Sequence, residues 1–139
     1  MSNNVDPTRQ QFDTFKSLPR DTPIMMLNLI RLHDEAQYSD GRNASGVQAY
    51  KRYGEESGPI FKRVGGEIIW RGKPECMVIG PMEEMWDVAF IARYPNADAF
   101  LAMITDAHYK QVVAHRQAAV LDSRLIRLGD SVEGSGFAV

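Results

Sequence analysis

Two segments of the sequence, residues 24–32 and 87–92, carry apolar residues at both odd and even positions. The first reads IMMLNLIRL and the second reads DVAFIA. Successive side chains of a β-strand point to opposite faces of a sheet, so a strand that is apolar at both parities needs cover on both faces. These two segments therefore predict the central strands of a sheet that is buried on its two sides.

The other elements follow from turn residues and helical spacing. Pro19 closes a short first helix, Gly65 closes a long second helix, and Asn96 caps a third one. We predict, in chain order, a helix over 6–18 capped by Asp6, a strand over 24–32, a helix over 46–64, a strand, continuous or in two pieces, over 67–70 and 76–79, a strand over 87–92, helices over 96–104 and 107–120, and a strand over 124–128.

Three local features carry further expectations. Pro59 lies inside the second helix and lacks a backbone N–H, so we expect a kink or a restart there. Cys76 belongs to the apolar run 76–79 and is expected to be a small buried hydrophobe. The polar loop over 33–45 is long for a small domain, and we interpret it as a lid, a dimer arm or merely a long connection.

After the first helix, the order of elements is β-α-β-β-α-β. This order predicts an α+β, ferredoxin-like domain in which two helices cover one face of a four-stranded antiparallel sheet. We expect a single domain over 1–139, with the extra N-terminal helix at 6–18, the core at 24–128 and a flexible tail at 131–139. The second sheet face would be a large apolar patch, so packing of sheet against sheet predicts a homodimer.

Charge and composition exclude several classes of partner. The chain has 16 Lys and Arg against 18 Asp and Glu, for a net charge of −2, and it has no basic cluster to hold nucleic acid. The longest apolar run, 24–32, is far shorter than the roughly 20 residues of a membrane-spanning helix. A single cysteine prevents an intramolecular disulfide. The first residues lack the pattern of a signal peptide, so we expect a cytoplasmic protein.

Short stretches along the chain match the pattern of a known family in their order and spacing. They are Ala49-Tyr50, Arg63-Val64-Gly65-Gly66-Glu67, Trp70-Arg71-Gly72, residues 90–95, His115-Arg116-Gln117 and Asp122-Ser123-Arg124-Leu125. With them the sequence resembles family 1330 of the domains of unknown function over residues 7–128. The resemblance implies a dimeric α+β barrel. It implies no activity, because proteins of similar fold include cofactor-free monooxygenases, small isomerases, haem enzymes and proteins that only bind.

Arg116 is the most informative candidate for a functional residue. It falls within the apolar stripe of the predicted helix over 107–120, and a buried arginine needs a partner because it does not lose its proton. One interpretation is that Arg116 holds a carboxylate or an enolate between helix and sheet. The alternative is that it pairs with an internal acid, Asp122, Asp87 or Glu67, or extends to solvent.

Four other polar residues are candidates for the same site. Tyr50 lies on the inward side of the second helix and Tyr53 at its edge, where each can orient a substrate, act as an acid or simply belong to the core. Gly54 leaves room for the sheet or a ligand. Asn28 is in phase with the apolar residues of the first strand and must find partners in a ligand, its neighbours or the other subunit. Arg71 stands at an irregular point of the second strand, where it either walls a pocket or is solvated.

Two histidines lie on the helix over 107–120. His108 and His115 are seven residues apart, which places them on one side of the helix. Either can serve as a base or as an axial ligand of haem, and the alternative is an ordinary surface position. No second histidine stands at the i+4 spacing of a zinc site, so we expect no structural metal and no cofactor.

These candidates favour a small-molecule site between the helices and the sheet. In the leading hypothesis the chain is a binding protein or a cofactor-free enzyme for proton transfer, isomerisation or oxygenation of a small acidic or aromatic substrate. His115 would act as the base, and Arg116 would stabilise negative charge. Tyr50 or Tyr53 would orient the substrate. Two alternatives stay open: a haem-binding protein, and a non-catalytic dimeric module that has no cavity of about 300 Å³.

Overall fold

The structure is a computed structural model that describes residues 3–130 and 136–137. Eight elements are present in this part of the chain. They are α1 (Arg9–Ser17), β1 (Ile24–Leu32), α2 (Gly46–Arg63), β2 (Glu67–Gly72), β3 (Val88–Tyr94), α3 (Ala97–Thr105), α4 (Tyr109–Ala119) and β4 (Val120–Leu128). None of the described helices has both the length and the apolar character of a membrane span. The tail predicted over 131–139 lies outside the described residues except for 136 and 137.

The strands form one antiparallel sheet in the order β2-β3-β1-β4. The two segments that are apolar at both parities provide β1 and β3, the central strands. Helices α2 and α4 pack against each other over one face of this sheet. The predicted α+β, ferredoxin-like βαββαβ fold is therefore confirmed, with α1 as the additional N-terminal helix.

The covered face of the sheet takes the even-numbered residues of β1. Ile24, Met26 and Ile30 are each at most 3% exposed. The register places Tyr94 of β3 beside Ile24, and both residues pack in one core cluster with Ile60 of α2. Burial of this apolar row under the helices is the main favourable contribution to the core.

The opposite face of the sheet has no helix over it in the described part of the chain. We call its centre the open sheet face, which consists of Leu27, Leu29, Trp70, Ile91 and Ile126. Trp70 is 56% exposed and Ile126 is 45% exposed. The two-sided apolar pattern of the central strands thus corresponds to one face under helices and one apolar face left uncovered by the single chain.

The first helix begins later than predicted. α1 starts at Arg9, and its cap is Thr8 rather than Asp6. The hydroxyl of Thr8 accepts from the N–H of Gln11 at 3.1 Å, and the side chain of Gln11 accepts from the N–H of Thr8 at 3.0 Å. The Thr-x-x-Gln spacing favours this capping box. Asp6 instead accepts a hydrogen bond from Gln117.

The second strand is shorter than predicted, and the expected burial of Cys76 is wrong. β2 ends at Gly72, residues 76–79 form no strand, and Cys76 is exposed. β2 is an edge strand whose neighbour in the sheet is β3. Gly72 already pairs with Ala89, the second residue of β3, so little of β3 is left to pair with a longer β2. Pro74 in addition has no N–H to donate to a ladder.

The cap of α3, the course of α2 through Pro59 and the start of β4 were also predicted from the sequence. Asn96 caps α3 as predicted, accepting from the N–H of Ala99 at 2.8 Å. α2 is one helix through Pro59, which removes a hydrogen bond but causes no restart. β4 begins at Val120, directly after α4 and earlier than predicted, because Val120 already pairs with Leu32 of β1.

Candidate functional site

A large cavity separates the helices from part of the covered sheet face. It has a volume of about 1330 Å³ and lies between α1, α2, α4, the segment before α1 and the sheet. Gly54 and Arg71 line it and are exposed, so the cavity is open to solvent. Small-molecule pockets begin at about 300 Å³. The non-catalytic module predicted that no cavity of that size would be present, and this expectation is not met.

Five of the six predicted site residues line this cavity. They are Asn28, Tyr50, Tyr53, Arg71 and Arg116. The sheet register explains part of this convergence, because Asn28 and Arg71 both pair with Phe90 of the central β3 and so point to the same face. The sixth residue, His115, is not among the residues that line the cavity.

Arg116 is held at the cavity by uncharged groups. Its guanidinium donates to the carbonyl oxygen of Val5 and, at 3.3 Å, to the hydroxyl of Ser123. Among the described residues, no carboxylate oxygen lies within 4.0 Å of its nitrogens. The cation is therefore positioned by the chain but not neutralised by it.

The three acids that were candidates for neutralising Arg116 are engaged elsewhere. Asp122 forms its ion pair with Arg124 at 2.9 Å. Asp87 accepts a hydrogen bond from a backbone N–H of β1, and Glu67 lies 4.0 Å from an arginine of β3. The structure therefore does not contain the internal ion pair that was the alternative interpretation of Arg116.

The wall of the cavity carries more positive than negative charge. Its charged residues in the described part of the chain are Lys51, Arg71, Arg116, Arg124, Arg127 and Asp6. Arg124 is neutralised by two carboxylates, and Arg127 donates to backbone carbonyl oxygens of Phe15 and Pro19. Neither Arg71 nor Lys51 forms an ion pair with any described residue. An anion in the cavity would meet this excess of positive charge.

The phenol of Tyr50 lies in the electrostatic field of both arginines. Burial raises the pKa of Tyr50 above its ordinary value, and the neighbouring Tyr53 raises it further. The positive charges of Arg116 and Arg71 lower the same pKa. Because burial dominates, Tyr50 is protonated at neutral pH and presents a hydrogen-bond donor to the cavity.

Tyr53 and Asn28 have partners within the chain. The hydroxyl of Tyr53 lies 2.8 Å from the hydroxyl of Tyr109, and its ring centroid lies 5.8 Å from that of Tyr50. The side-chain amide of Asn28 donates to the carbonyl oxygen of Met26 at 3.0 Å. Both residues line the cavity with one polar atom already engaged, and Arg116 has two nitrogens engaged by uncharged acceptors. Arg116 keeps further N–H groups for a ligand, because a guanidinium carries five donors.

His115 faces away from the cavity and anchors the loop over 33–45. Its Nδ1 lies 2.6 Å from the hydroxyl oxygen of Tyr38, and its Nε2 lies 3.4 Å from a carboxylate oxygen of Glu56. The predicted general base is therefore engaged on both ring nitrogens outside the cavity. His108 is exposed at the start of α4, so neither histidine offers haem a ligand inside the cavity. In the described part of the chain no cluster of His, Cys, Asp or Glu suits a metal ion.

Sequence reasoning missed the contribution of the N-terminal segment. Residues 4–7 and α1 form one wall of the cavity. The hydroxyl of the buried Ser123 donates to the carbonyl oxygen of Asn4 at 2.7 Å and thereby fixes this segment against β4. The two residues are 119 positions apart. Local periodicity carries no signal for a contact of this separation.

The fold and the cavity together define a class of protein: a ferredoxin-like α+β domain with a cavity rich in positive charge and hydrogen-bond donors between helices and sheet. The chain belongs to the family described as Domain of unknown function (DUF1330), whose model matches residues 43–127. This match confirms the resemblance that the sequence motifs indicated.

Several solved structures are similar to the chain. The chain is 50% identical to the methylated RPA0582 protein, with a TM-score of 0.93 and coverage of 97% of this chain and 100% of that one. A second structure, of the RPA0582 protein of unknown function from Rhodopseudomonas palustris, is 48% identical, with a TM-score of 0.90 and coverage of 95% and 100%. An uncharacterised NIPSNAP-like domain protein from Burkholderia xenovorans shares the fold alone, at 15% identity, a TM-score of 0.51 and coverage of 84% and 91%. No curated protein matches the chain.

Proposed function

We propose that the protein binds a small organic anion in this cavity, with Arg116 and Arg71 as the anion-binding groups and Tyr50 as a neutral donor. The observation that carries the proposal is a pair of guanidinium groups that line an open cavity with no carboxylate partner among the described residues. A partly buried cation without a countercharge is unfavourable, and an anionic ligand removes that penalty. A carboxylate matches the planar fork of a guanidinium with two parallel hydrogen bonds.

The same donors suit an enolate as well as a carboxylate. Donors that point to the place where negative charge develops stabilise an enolate, which isomerisation and cofactor-free oxygenation both require. Tyr50 stays protonated, so it serves as a donor or an acid and not as a base. His115 lies outside the cavity, and Asp6 already accepts from Gln117. We therefore place binding of an acidic or aromatic ligand first and proton transfer on that ligand second.

The proposal includes a homodimer in which two copies pack open sheet face against open sheet face. Support comes from the apolar character of this face and from the exposure of Trp70 and Ile126 at its centre. A contiguous apolar patch of this kind is unusual on a protein that stays monomeric. In such a dimer the cavities lie on the far side of each sheet, so each subunit keeps its own ligand site.

The test of the anion site compares benzoate with benzyl alcohol, which share a ring and differ in charge. In calorimetric titrations of the full chain, benzoate should bind clearly more tightly than benzyl alcohol. Arg116→Met should weaken benzoate binding about tenfold or more, because a hydrogen bond to a charged group contributes about 1.5–3 kcal/mol. Arg71→Met should act in the same direction. Arg20→Met is the matched control, because Arg20 is exposed and pairs with Asp98.

Two results would remove the anion site. Equal binding of benzoate and benzyl alcohol would show that charge does not matter to the cavity. A folded Arg116→Met variant with unchanged benzoate affinity would show that this arginine only holds the N-terminal segment. Circular dichroism and thermal unfolding establish whether each variant is folded before its affinity is measured.

A further inference from the structure

One end of the cavity floor is polar and the other is apolar, and the sheet register fixes which is which. Arg71 and Asn28 pair with Phe90 from its two sides and form one rung of the covered face. The next rung on the same face has Ile68 on β2, Met26 on β1 and, on β4, Arg127, whose guanidinium is occupied by backbone carbonyl oxygens. Rungs on one face are about 7 Å apart, since a strand rises about 3.4 Å per residue. The first rung therefore offers an amide and an arginine without an ion pair among the described residues, and the second offers two apolar side chains beside an arginine that the backbone already occupies.

The helices above the sheet also carry polar side chains and aromatic side chains at different places along the cavity. Arg116 of α4 and Tyr50 of α2 line the same cavity as Arg71 and Asn28 of the polar rung. Towards the C-terminal end of α2, Phe61 packs edge-on against Tyr94, with ring centroids 5.4 Å apart. Tyr94 lies two rungs beyond the polar rung, which is a distance of roughly 13 Å. The polar and the aromatic ends are thus separated along the length of the cavity.

Aromatic side chains from several elements close the apolar end. The ring of Phe100 lies 5.4 Å from that of Tyr94 and 5.1 Å from that of Phe15. These rings line the cavity together with Phe61. The guanidinium of Arg127 lies 5.0 Å from the Phe15 ring, but it donates to backbone carbonyl oxygens and is occupied by them. The apolar end therefore presents hydrocarbon and ring surface to a ligand.

Two helical glycines leave space along the wall between the two ends. Gly54 and Gly58 of α2 line the cavity, and a β-carbon at either position would have no heavy atom within 4 Å. Glycine within a helix is less favourable than alanine. No packing contact requires glycine here, since neither the sheet nor another helix approaches these positions. The unfilled volume extends from Tyr50 along α2 towards Phe61.

From this division we infer that the ligand is amphipathic, with an anionic head at Arg116 and Arg71 and an apolar chain or ring system that runs past Gly58 to Phe61 and Phe100. The inference rests on the proposed function for the head and adds a separate site for the tail. The class of ligand is a carboxylic acid with a hydrocarbon portion of several carbon atoms, in contrast to a small hydrophilic acid.

The test is a series of straight-chain monocarboxylates, from acetate to dodecanoate, titrated calorimetrically into the full chain below their micelle concentrations. Affinity should rise about fourfold for each added CH₂, which corresponds to about 0.8 kcal/mol per buried methylene. The rise should level off once the chain fills the aromatic end. Alcohols of the same chain lengths report the contribution of the tail alone.

A substitution that fills the space beside Gly58 tests whether the apolar part of the ligand lies along α2. Gly58→Leu should weaken decanoate binding about fifteenfold, as expected when about two methylenes are displaced, and should change butanoate binding much less. Ala102→Leu is the matched control, because Ala102 is exposed on α3 and lies outside the cavity lining. It should leave the whole series unchanged.

The outcomes separate this inference from the proposal on which it rests. A flat length series in which Arg116→Met still weakens every acid would overturn the tail site and leave the anion site standing. Equal affinities of acids and alcohols at every chain length would overturn the anion site and leave the tail site standing. An unchanged decanoate affinity in a folded Gly58→Leu variant would contradict the course of the tail along α2.

Discussion

At the scale of single residues, burial governs three tyrosine hydroxyls that line the cavity. It raises the pKa values of Tyr50, Tyr94 and Tyr109 above the ordinary value of 10.0. A folded state with raised pKa values holds these protons more tightly than the unfolded chain does. The three hydroxyls therefore stay neutral throughout the physiological range and keep their role as donors.

This shift gives a prediction for stability at alkaline pH. The contribution of the three tyrosines is fully present below the unfolded pKa of about 10 and is lost as the pH rises above it, because the unfolded chain releases those protons first. Guanidinium unfolding at about pH 9 and about pH 11 should show this loss. A variant in which all three are phenylalanine should lose less stability over the same interval. The same loss in both proteins would contradict the assignment.

The open space beside Gly58 of α2 predicts a stabilising substitution at this glycine. Gly58→Ala should raise the free energy of unfolding by about 0.4–1 kcal/mol, because the new methyl group meets no heavy atom within 4 Å and the unfolded chain loses freedom. Gly66→Ala is the contrasting control, since its β-carbon would lie 2.3 Å from a ring carbon of Phe61. Chemical unfolding of both variants measures the difference. A destabilised Gly58→Ala variant would mean that this wall is filled.

Periodicity explains which site residues were predictable. Asn28 and Arg116 could be placed facing the interior because strand and helix repeats report which side of an element a residue occupies. His115 is one position from Arg116, and a step of about 100° around the helix turns it towards Glu56 instead. Its second partner, Tyr38, belongs to a loop that has no periodicity. The role of His115 was therefore not available from the sequence.

At the scale of elements, the loop over 33–45 is attached to the end of α4. The N–H of Gln37 donates to the carbonyl oxygen of Ala118 at 2.8 Å, and the Tyr38 hydroxyl meets His115 at 2.6 Å. The bond from Gln37 satisfies a carbonyl group at the C-terminal end of α4, where no intrahelical donor is left. The loop is thus a docked connection on α4, outside the cavity.

This attachment can be separated from ligand binding. Tyr38→Phe should lower the free energy of unfolding by about 1 kcal/mol through the lost hydrogen bond, and it should speed amide hydrogen exchange at Gln37. Benzoate affinity should stay the same, because Tyr38 does not line the cavity. His108→Ala is the control, since His108 is exposed. A large loss of benzoate affinity with unchanged exchange would place Tyr38 and His115 in the ligand site instead.

The end of the second strand could not be predicted from the sequence. Residues 76–79 have strand-forming composition, but composition does not report whether a neighbouring strand is there to pair with them. The pairing of Gly72 with Ala89 ends the ladder almost at the first residue of β3. The cap of α1 was missed for a different reason: two residues with capping ability, Asp6 and Thr8, compete within three positions, and the partner Gln11 decides between them.

At the scale of the whole molecule, the open sheet face predicts the assembly. Ile91 lies at its centre, because the register pairs it with both Leu27 and Trp70. Ile91→Lys should convert a homodimer into a monomer, since the interface would then bury an unpaired charge. Val47→Lys is the matched control, because Val47 is exposed on α2. Native mass spectrometry or sedimentation of the three proteins at one concentration gives the answer. A monomeric unmodified chain, or a dimeric Ile91→Lys variant, would exclude this interface.

The architecture was more predictable than the cavity. The apolar pattern of the central strands and the order of the elements were enough to define the sheet and the layer of helices. The cavity depends in addition on how α1 and residues 4–7 form one of its walls, fixed against β4. That placement rests on side-chain to backbone bonds between distant segments, which leave no mark on local composition.

Those bonds also determine when the ligand site comes into existence. Asn4 meets Asp122 and Ser123 across 118 and 119 positions, and Val5 meets Arg116 across 111 positions. Contacts of such separation form late, because closing a long loop lowers the conformational entropy of the chain before any favourable contact forms. While a ribosome is still making β4, the N-terminal wall of the cavity is already synthesised but lacks its hydrogen bonds to Asp122 and Ser123. The cavity that we propose as the ligand site is therefore incomplete until β4 has been synthesised.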